Sequence, residues 1–310
     1  MLKVWSRIQD AYKRILTRSF RGRNHGNDSG GIIRLYGLMI TKDDEAIFDE
    51  WCRNQLSLYD KVVCLDGSTT TATERIADRF KDKLIYVHER DYQIPAKTDH
   101  GLRKVVHDEI VRRFGYGNWI MCCHADEFCY HDPRKIAGKA AREGYDLVNW
   151  FSLHFYPHPS EWPDWEQRKL LPVTRRFQHY HWNRSGSGLP HHERRLYYNH
   201  SSVFWDQTTH QSVRPHGLRR VAPFHPILRH YKVFTTDLDW YELDGQNTRY
   251  RTHWMDTKAS RSGLPFRMQN VQDLFVASIP NYASCSRFDG TIPYPWNMGE
   301  QYRPDNIASD

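Results

Sequence analysis

The sequence contains no long uninterrupted run of apolar residues. Hydrophobic residues make up only 39% of the 310-residue chain, and the mean hydropathy is -0.78. A transmembrane helix needs roughly 18 or more consecutive apolar residues, so we expect no membrane-spanning helix. The first residues also lack the apolar core of a secretory signal peptide, and we expect no such signal.

Cysteine is scarce as well. Six cysteines are too few for a disulfide framework in a chain of this length, and no two of them form a CxxC pair. Cys64 and Cys122 lie in apolar runs, where a buried free thiol is usual. This usage predicts a reducing compartment, and therefore a cytoplasmic protein.

The net charge of +7 and the pI of about 9.0 raise the possibility of a nucleic-acid partner. The distribution of charge argues against it. Residues 1–23 hold seven basic residues and one acid, which gives this segment a net charge of +6 and leaves +1 for the other 287 residues. We therefore expect no nucleic-acid partner, because the basic charge belongs to one short segment.

The basic segment has the pattern of an amphipathic helix. Its apolar residues recur at steps of three and four, namely Val4, Trp5, Ile8, Ala11, Tyr12, Ile15, Leu16 and Phe20. Such a helix fits either peripheral contact of residues 1–23 with an anionic membrane or simple packing on the rest of the protein. Residues 21–31 are polar and rich in glycine, which is typical of a linker.

Strand and helix patterns alternate in the next hundred residues. The predicted strands are 32–40, 61–65, 84–88 and 119–123, and the predicted helices are 45–58, 71–80 and 98–114. This alternation predicts an α/β fold around a mostly parallel sheet. A further strand is predicted at 146–153. Beyond residue 155, Pro, Trp and His dominate, and we expect long loops.

Three polar clusters follow predicted strands, at 41–44, 66–68 and 124–127. Ligands of parallel α/β sheets bind beyond the carboxyl ends of the strands. His124 and Asp126 are two residues apart, so on a continuing strand they would share one face and Glu127 the other. Such a pair suits Mg²⁺ or Mn²⁺. The alternative is that Asp126 and Glu127 only cap the next turn.

Asp66, Gly67 and Ser68 form the second cluster. An acid at this place in an α/β sheet often meets a ribose or a base, and glycine permits close approach of a ligand to the backbone. The alternative is a local turn in which the Asp66 side chain bonds to the backbone after it.

The clusters together resemble glycosyltransferase family 2. The resemblance lies in GLMITKDDEAIFDEWCRNQLSLYDKVVCLDGSTTTAT, NWIMCCHADEF and LRHYKVFTTDLD, and it is good over about residues 32–132. Asp126 matches the second Asp of the family's metal-binding DxD motif, but His124 stands in place of the first. The resemblance implies a glycosyltransferase A-type, Rossmann-like three-layer fold of the kind found in bacterial members.

The resemblance also implies ligands and the residues that bind them. A nucleotide-diphosphate sugar would be the donor, and a divalent metal, Mn²⁺ or Mg²⁺, the cofactor. The implied metal ligands are His124, Asp126 and His230; the implied donor-binding residues are Thr41, Asp66, Ser68 and Arg103. Arg103 has an alternative as an exposed charge on a helix face.

Members of this family generally invert the anomeric centre, which requires a carboxylate as general base. The candidates are Glu161, Asp164, Glu193 and Asp206, of which Glu193 and Asp206 are preferred equally. A solvated loop acid is the alternative for each. Trp162, Trp165 and Trp182 are candidates for lining an acceptor groove or for packing under loops.

The predicted organisation is a helix and linker at 1–30, a catalytic domain at 31–240 and a helical or loop-rich extension at 241–310 packed on it. The predicted function is metal-assisted transfer of a sugar to a glycan, lipid or other acceptor, for example in cell-surface polysaccharide biosynthesis. The first alternative is a non-catalytic protein that binds nucleotide sugars or carbohydrates on the same fold. A nucleic-acid binder is the third hypothesis.

Overall fold

The computed structural model describes residues 32–42, 44–68, 70–91, 99–156, 158–168, 170–182, 192–205, 215–231 and 286–290. The basic segment 1–23, Asp206 and nearly all of 241–310 lie outside these residues, so the predictions for them stay predictions. Within the described part of the chain, no helix combines the length and apolar character needed to cross a membrane.

The first half of the described chain alternates strands and helices as predicted. The strands are β1 Leu35–Thr41, β2 Lys61–Asp66, β3 Leu84–His88 and β4 Asn118–Cys123. The helices between them are α1 Glu45–Gln55, α2 Ala72–Asp78 and α3 Asp99–Phe114. The predicted helix 45–58 ends at Gln55 and continues as a 3₁₀ turn, Leu56–Leu58.

These four strands form a Rossmann-like parallel half of the central sheet, in the order β3-β2-β1-β4. All seven residues of β1 are buried, as expected for a strand covered by helices on both faces. Helix α1 packs against the face that holds Leu35 and Met39. Helix α3 packs against the face that holds Leu38 and Ile40. The prediction of an α/β fold with helices on both sides of a sheet is confirmed.

The second half extends the same sheet. Its strands are β5 Glu127–Cys129, β6 Leu147–Tyr156, β7 His179–Trp182, β8 His192–Asn199, β11 Ile227–Tyr231 and β12 Ser286–Arg287. Helix α4 Pro133–Arg142 precedes β6, and the short helices α5 Trp165–Arg168 and α6 Val173–Arg176 precede β7. A separate two-stranded sheet pairs β9 Phe204–Trp205 with β10 Pro215–His216.

Strand β8 joins the two halves, because it is antiparallel to both β4 and β6. Strand β11 lies between β6 and β5, parallel to the first and antiparallel to the second. The expectation of long loops beyond residue 155 was wrong for β7, β8 and β11. Arg195, Leu196 and Tyr197 are buried in succession on β8, so this strand lacks the alternation by which strands are recognised.

Candidate functional site

The carboxyl ends of β1, β2 and β4 meet at one edge of the sheet. Across β1 and β2, Thr41 is in register with Asp66. Across β1 and β4, Met39 is in register with Cys123. The residues that follow these strands therefore lie beyond the same edge, where α/β sheets bind their ligands.

Thr41 and Asp66, two of the predicted donor-binding residues, are fully enclosed. Thr41 is 1% exposed, and its hydroxyl donates to Oδ2 of Asp44 at 2.7 Å. The Asp66 side chain is 0% exposed and accepts hydrogen bonds from the Ser68 amide, the Ser68 hydroxyl and the Tyr86 hydroxyl. A nucleotide would contact the Asp66 carboxylate directly only if Ser68 or Tyr86 moved.

Asp126 and His230 meet in the structure although they are 104 positions apart. Nε2 of His230 lies 2.9 Å from Oδ2 of Asp126. Strand β11 brings them together, because His230 is in register with Glu127 on β5 and the Tyr231 amide donates to the Asp126 carbonyl. The family resemblance had implied that both residues bind one metal ion.

Glu127 was wrongly placed by the sequence pattern. It was expected on the face opposite His124 and Asp126, but β4 ends at Cys123 and the chain turns before β5 begins. Strand alternation therefore does not extend through residues 124–127. Glu127 is 2% exposed and lies 3.6 Å from the nearest imidazole nitrogens of His124 and His230.

Arg195 is a member of this cluster that was not among the predicted catalytic, donor-binding or metal-binding residues. Its Nη2 lies 2.6 Å from Oε1 of Glu127 and 2.6 Å from Oε2 of Glu193. Arg195 is 4% exposed, and a buried guanidinium needs such carboxylate partners. The one available signal was the run Glu193-Arg194-Arg195 on a segment with no strand pattern.

Arg103 joins the cluster from helix α3. Its Nη2 lies 3.1 Å from Nε2 of His124, and its guanidinium carbon lies 6.0 Å from the ring centre of Trp205. Arg103 is 8% exposed, so the alternative of an exposed helix-face charge was wrong. A planar guanidinium at a sheet edge is suited to bind phosphate oxygens.

His124 is neutral at pH 7. Burial lowers its pKa to about 4, although the Glu127 carboxylate opposes this shift. Because a guanidinium can only donate hydrogen bonds, Nε2 of His124 accepts from Arg103. In this arrangement the Nε2 lone pair is used by Arg103, and the role of His124 as a metal ligand stays a prediction.

Of the two preferred candidates for the general base, the structure describes Glu193 but not Asp206. Arg195 lowers the pKa of Glu193 to about 2, which makes its carboxylate a weak base. Asp206 lies outside the described residues and directly follows Trp205. Of the other candidates, Glu161 is 1% exposed and accepts from the amides of His158 and Gln178, so it has a local structural role.

The side chains of Asp126 and His230 could together supply two ligands to a hard divalent cation. No group of three or more His, Cys, Asp or Glu side chains within the described ranges is arranged to hold a metal. The 2.9 Å between Asp126 Oδ2 and His230 Nε2 is that of an N–H···O hydrogen bond, and a cation could replace the proton because neighbouring ligands of an octahedral ion with bonds of about 2.1 Å lie roughly 3 Å apart. Mg²⁺ commonly takes one or two protein ligands and completes its shell with phosphates and water.

Comparisons with known proteins identify no family. No family model matches the chain, and no curated protein matches it. One matching solved structure is described as a glucose-1-phosphate thymidylyltransferase from Bacillus anthracis in complex with sucrose. The two chains are 8% identical with a TM-score of 0.28, and the match covers 41% of this chain and 57% of that one. The match therefore spans little more than half of that protein, and a similarity this low carries no argument about function.

Proposed function

We propose that the protein transfers a sugar from a nucleotide-diphosphate sugar to a glycan, lipid or other acceptor, with the help of Mn²⁺ or Mg²⁺. The observation that carries the proposal is the contact between Asp126 and His230 at the carboxyl edge of the parallel strands, with the buried Arg103 in contact with His124, two residues before Asp126. A cation and a guanidinium of this kind are both suited to bind the oxygens of a diphosphate. The resemblance to glycosyltransferase family 2 assigns the same residues.

Each part of the donor has a candidate partner. Asp126 and His230 would hold the cation, which neutralises charge on the leaving diphosphate. Arg103 would bind a phosphate oxygen through its guanidinium. The β1 and β2 ends, with Thr41, Asp66 and Ser68, would surround the nucleoside.

We assign the role of general base to Asp206 in preference to Glu193. The Glu193 carboxylate lies 2.6 Å from the Arg195 guanidinium, and such a pairing holds it ionised and reduces its proton affinity. Asp206 follows Trp205, whose ring lies beside Arg103. The acceptor would therefore approach from the side of Trp205. Contact of residues 1–23 with an anionic membrane belongs to the same proposal, as a way to reach lipid-linked acceptors.

Thermal-shift measurements with a panel of nucleotide sugars, each with and without Mn²⁺, test the donor class. A ligand at 100 times its Kd stabilises the folded state by about 2.7 kcal/mol, which raises Tm by a few degrees. We expect this rise with wild type and not with Asp126→Ala. Asp108→Ala, which removes an exposed carboxylate from α3, is the matched control and keeps the rise.

A second function is favoured by one observation. His124 replaces the first acid of the DxD motif, and its Nε2 accepts a hydrogen bond from Arg103. A protein that binds nucleotide sugars without turning them over has the same requirements for binding as a transferase but no requirement for a base. Nucleotide-sugar binding by calorimetry, with no hydrolysis or transfer for any donor in the panel, would favour this function.

A further inference from the structure

One buried carboxylate lies between the two histidines of the strand-end cluster. Oε1 of Glu127 lies 3.6 Å from Nδ1 of His230, and Oε2 of Glu127 lies 3.6 Å from Nδ1 of His124. Both distances exceed that of a hydrogen bond, and Oε2 has no hydrogen-bond partner among the described residues. The two rings therefore turn the same nitrogen toward opposite oxygens of one carboxylate.

The contacts on the other side of the His124 ring fix its tautomer. Nε2 of His124 lies 3.1 Å from Nη2 of Arg103. The guanidinium has only donors, so Nε2 carries no proton. A neutral imidazole then carries its proton on Nδ1, which is the nitrogen that faces Glu127.

His230 would need the same tautomer once a cation is bound. In the structure its Nε2 donates to the Asp126 carboxylate at 2.9 Å, because an ionised carboxylate only accepts. This nitrogen is also the one on the side of the proposed cation. An imidazole that binds a cation through Nε2 must carry its proton on Nδ1, and a carboxylate commonly accepts that proton's hydrogen bond. Glu127 is the carboxylate in that position.

Glu127 is itself held in place from two sides. Nη2 of Arg195 lies 2.6 Å from Oε1 of the Glu127 side chain. Nε1 of the fully buried Trp51 donates to the main-chain carbonyl oxygen of Glu127 at 2.8 Å. The side chain is 2% exposed, so water does not compete for its oxygens. The carboxylate therefore has a fixed position relative to both rings.

We propose that Glu127 is a positioning residue that holds the proton of His124 on Nδ1 and accepts the Nδ1 proton that His230 carries when its Nε2 binds a cation. The Nε2 lone pair of His124 then orients Arg103. The His230 half of the inference rests on the proposed function.

Nitrogen NMR of ¹⁵N-histidine-labelled, metal-free protein at pH 7.5 tests the His124 half. The His124 signals are assigned by their loss in His124→Gln. We expect the proton on Nδ1 in wild type and a mixture of both tautomers in Glu127→Gln, because an amide oxygen is a weaker acceptor than a carboxylate. A proton on Nε2 in wild type overturns the inference, and this result does not depend on the folding of Glu127→Gln. An unchanged tautomer in a folded Glu127→Gln protein also overturns it.

Titration with Mn²⁺ alone, followed by electron paramagnetic resonance of the free ion, tests the His230 half. We expect His230→Gln to lose binding and Glu127→Gln to weaken it about 10- to 100-fold, as second-shell changes commonly do. Glu161→Gln is the matched control, because Glu161 is equally buried and lies 2.8 Å from Nδ1 of His179. Its Mn²⁺ affinity should equal that of wild type.

The outcomes separate this inference from the proposed function. Equal affinity of wild type and Glu127→Gln, with loss in His230→Gln, overturns the role of Glu127 and leaves the metal site in place. Equal affinity of wild type and His230→Gln overturns the metal assignment and the His230 half together, and the NMR result then decides the His124 half.

Discussion

Asp126 and His230 are joined across 104 positions of sequence by a 2.9 Å contact between Oδ2 and Nε2. Asp126 belongs to the turn after β4, and His230 belongs to β11, which is added to the sheet beside β5. The contact therefore depends on the second half of the chain completing a site that the first half begins.

Replacement of Arg103 by Gln should weaken nucleotide-sugar binding. The change removes the buried guanidinium that faces His124 and with it a charge-assisted contact worth about 1.5–3 kcal/mol, or roughly 10- to 100-fold in Kd. Calorimetry in the presence of Mn²⁺ measures the effect. Arg112→Gln removes the same charge from an exposed position of α3 and should leave Kd unchanged. Equal loss of nucleotide-sugar affinity in both variants would show that the effect comes from the net charge and not from the Arg103 contact.

Asp66→Asn should reduce both stability and nucleotide affinity. The Asp66 carboxylate is completely buried and accepts hydrogen bonds from Ser68 and Tyr86. In the variant, the side-chain NH₂ group would face one of these donors, and a hydrogen bond would be lost. The cost to the free energy of unfolding should be about 1–3 kcal/mol. Urea unfolding and nucleotide titration measure the two effects. Unchanged nucleotide affinity in the folded variant would remove the β2 end from the donor site.

Arg195→Met should be strongly destabilising. It leaves the buried Glu127 without its guanidinium partner, and loss of one partner of a buried ion pair costs about 3–5 kcal/mol. Arg53→Met, which breaks an exposed pair with Asp49, should cost less than about 1 kcal/mol. Urea unfolding compares the two variants.

The double variant Arg195→Met with Glu127→Gln should be more stable than Arg195→Met alone, because no unpaired charge remains at Glu127. A double variant that is less stable than the single one would contradict the pairing of these two residues.

His225 should make the protein less stable at mildly acidic pH. Burial, and next the neighbouring His192, lower the pKa of His225 from 6.5 to about 4. Between these values the unfolded chain binds a proton that folded His225 does not, so stability falls as the pH drops from about 6.5 to about 4. One such proton gives a slope of up to about 1.4 kcal/mol per pH unit.

His225→Gln should remove this part of the slope. Urea unfolding of wild type and variant at pH 7.5 and pH 5 provides the comparison. Equal slopes for the two proteins would show that folding does not lower the pKa of His225.

The sequence revealed the parallel half of the fold because its strands are buried on both faces and appear as apolar runs between turns. In the second half, β6 was predicted at 146–153 and is confirmed as Leu147–Tyr156. Strand β8 escaped prediction because it buries a charged residue, Arg195, among apolar ones. Its position depends on register with β4 and β6, which no local pattern encodes. Glu127 was misplaced for a related reason, since the turn after Cys123 ends the alternation on which its predicted face depended.

Donor turnover with and without Mn²⁺ tests the central claim most directly. Wild type should hydrolyse or transfer from at least one nucleotide sugar in the presence of Mn²⁺, and both removal of the metal and Asp126→Ala should abolish that turnover. Asp108→Ala should retain it. Metal-independent turnover that Asp126→Ala leaves unchanged would contradict the account.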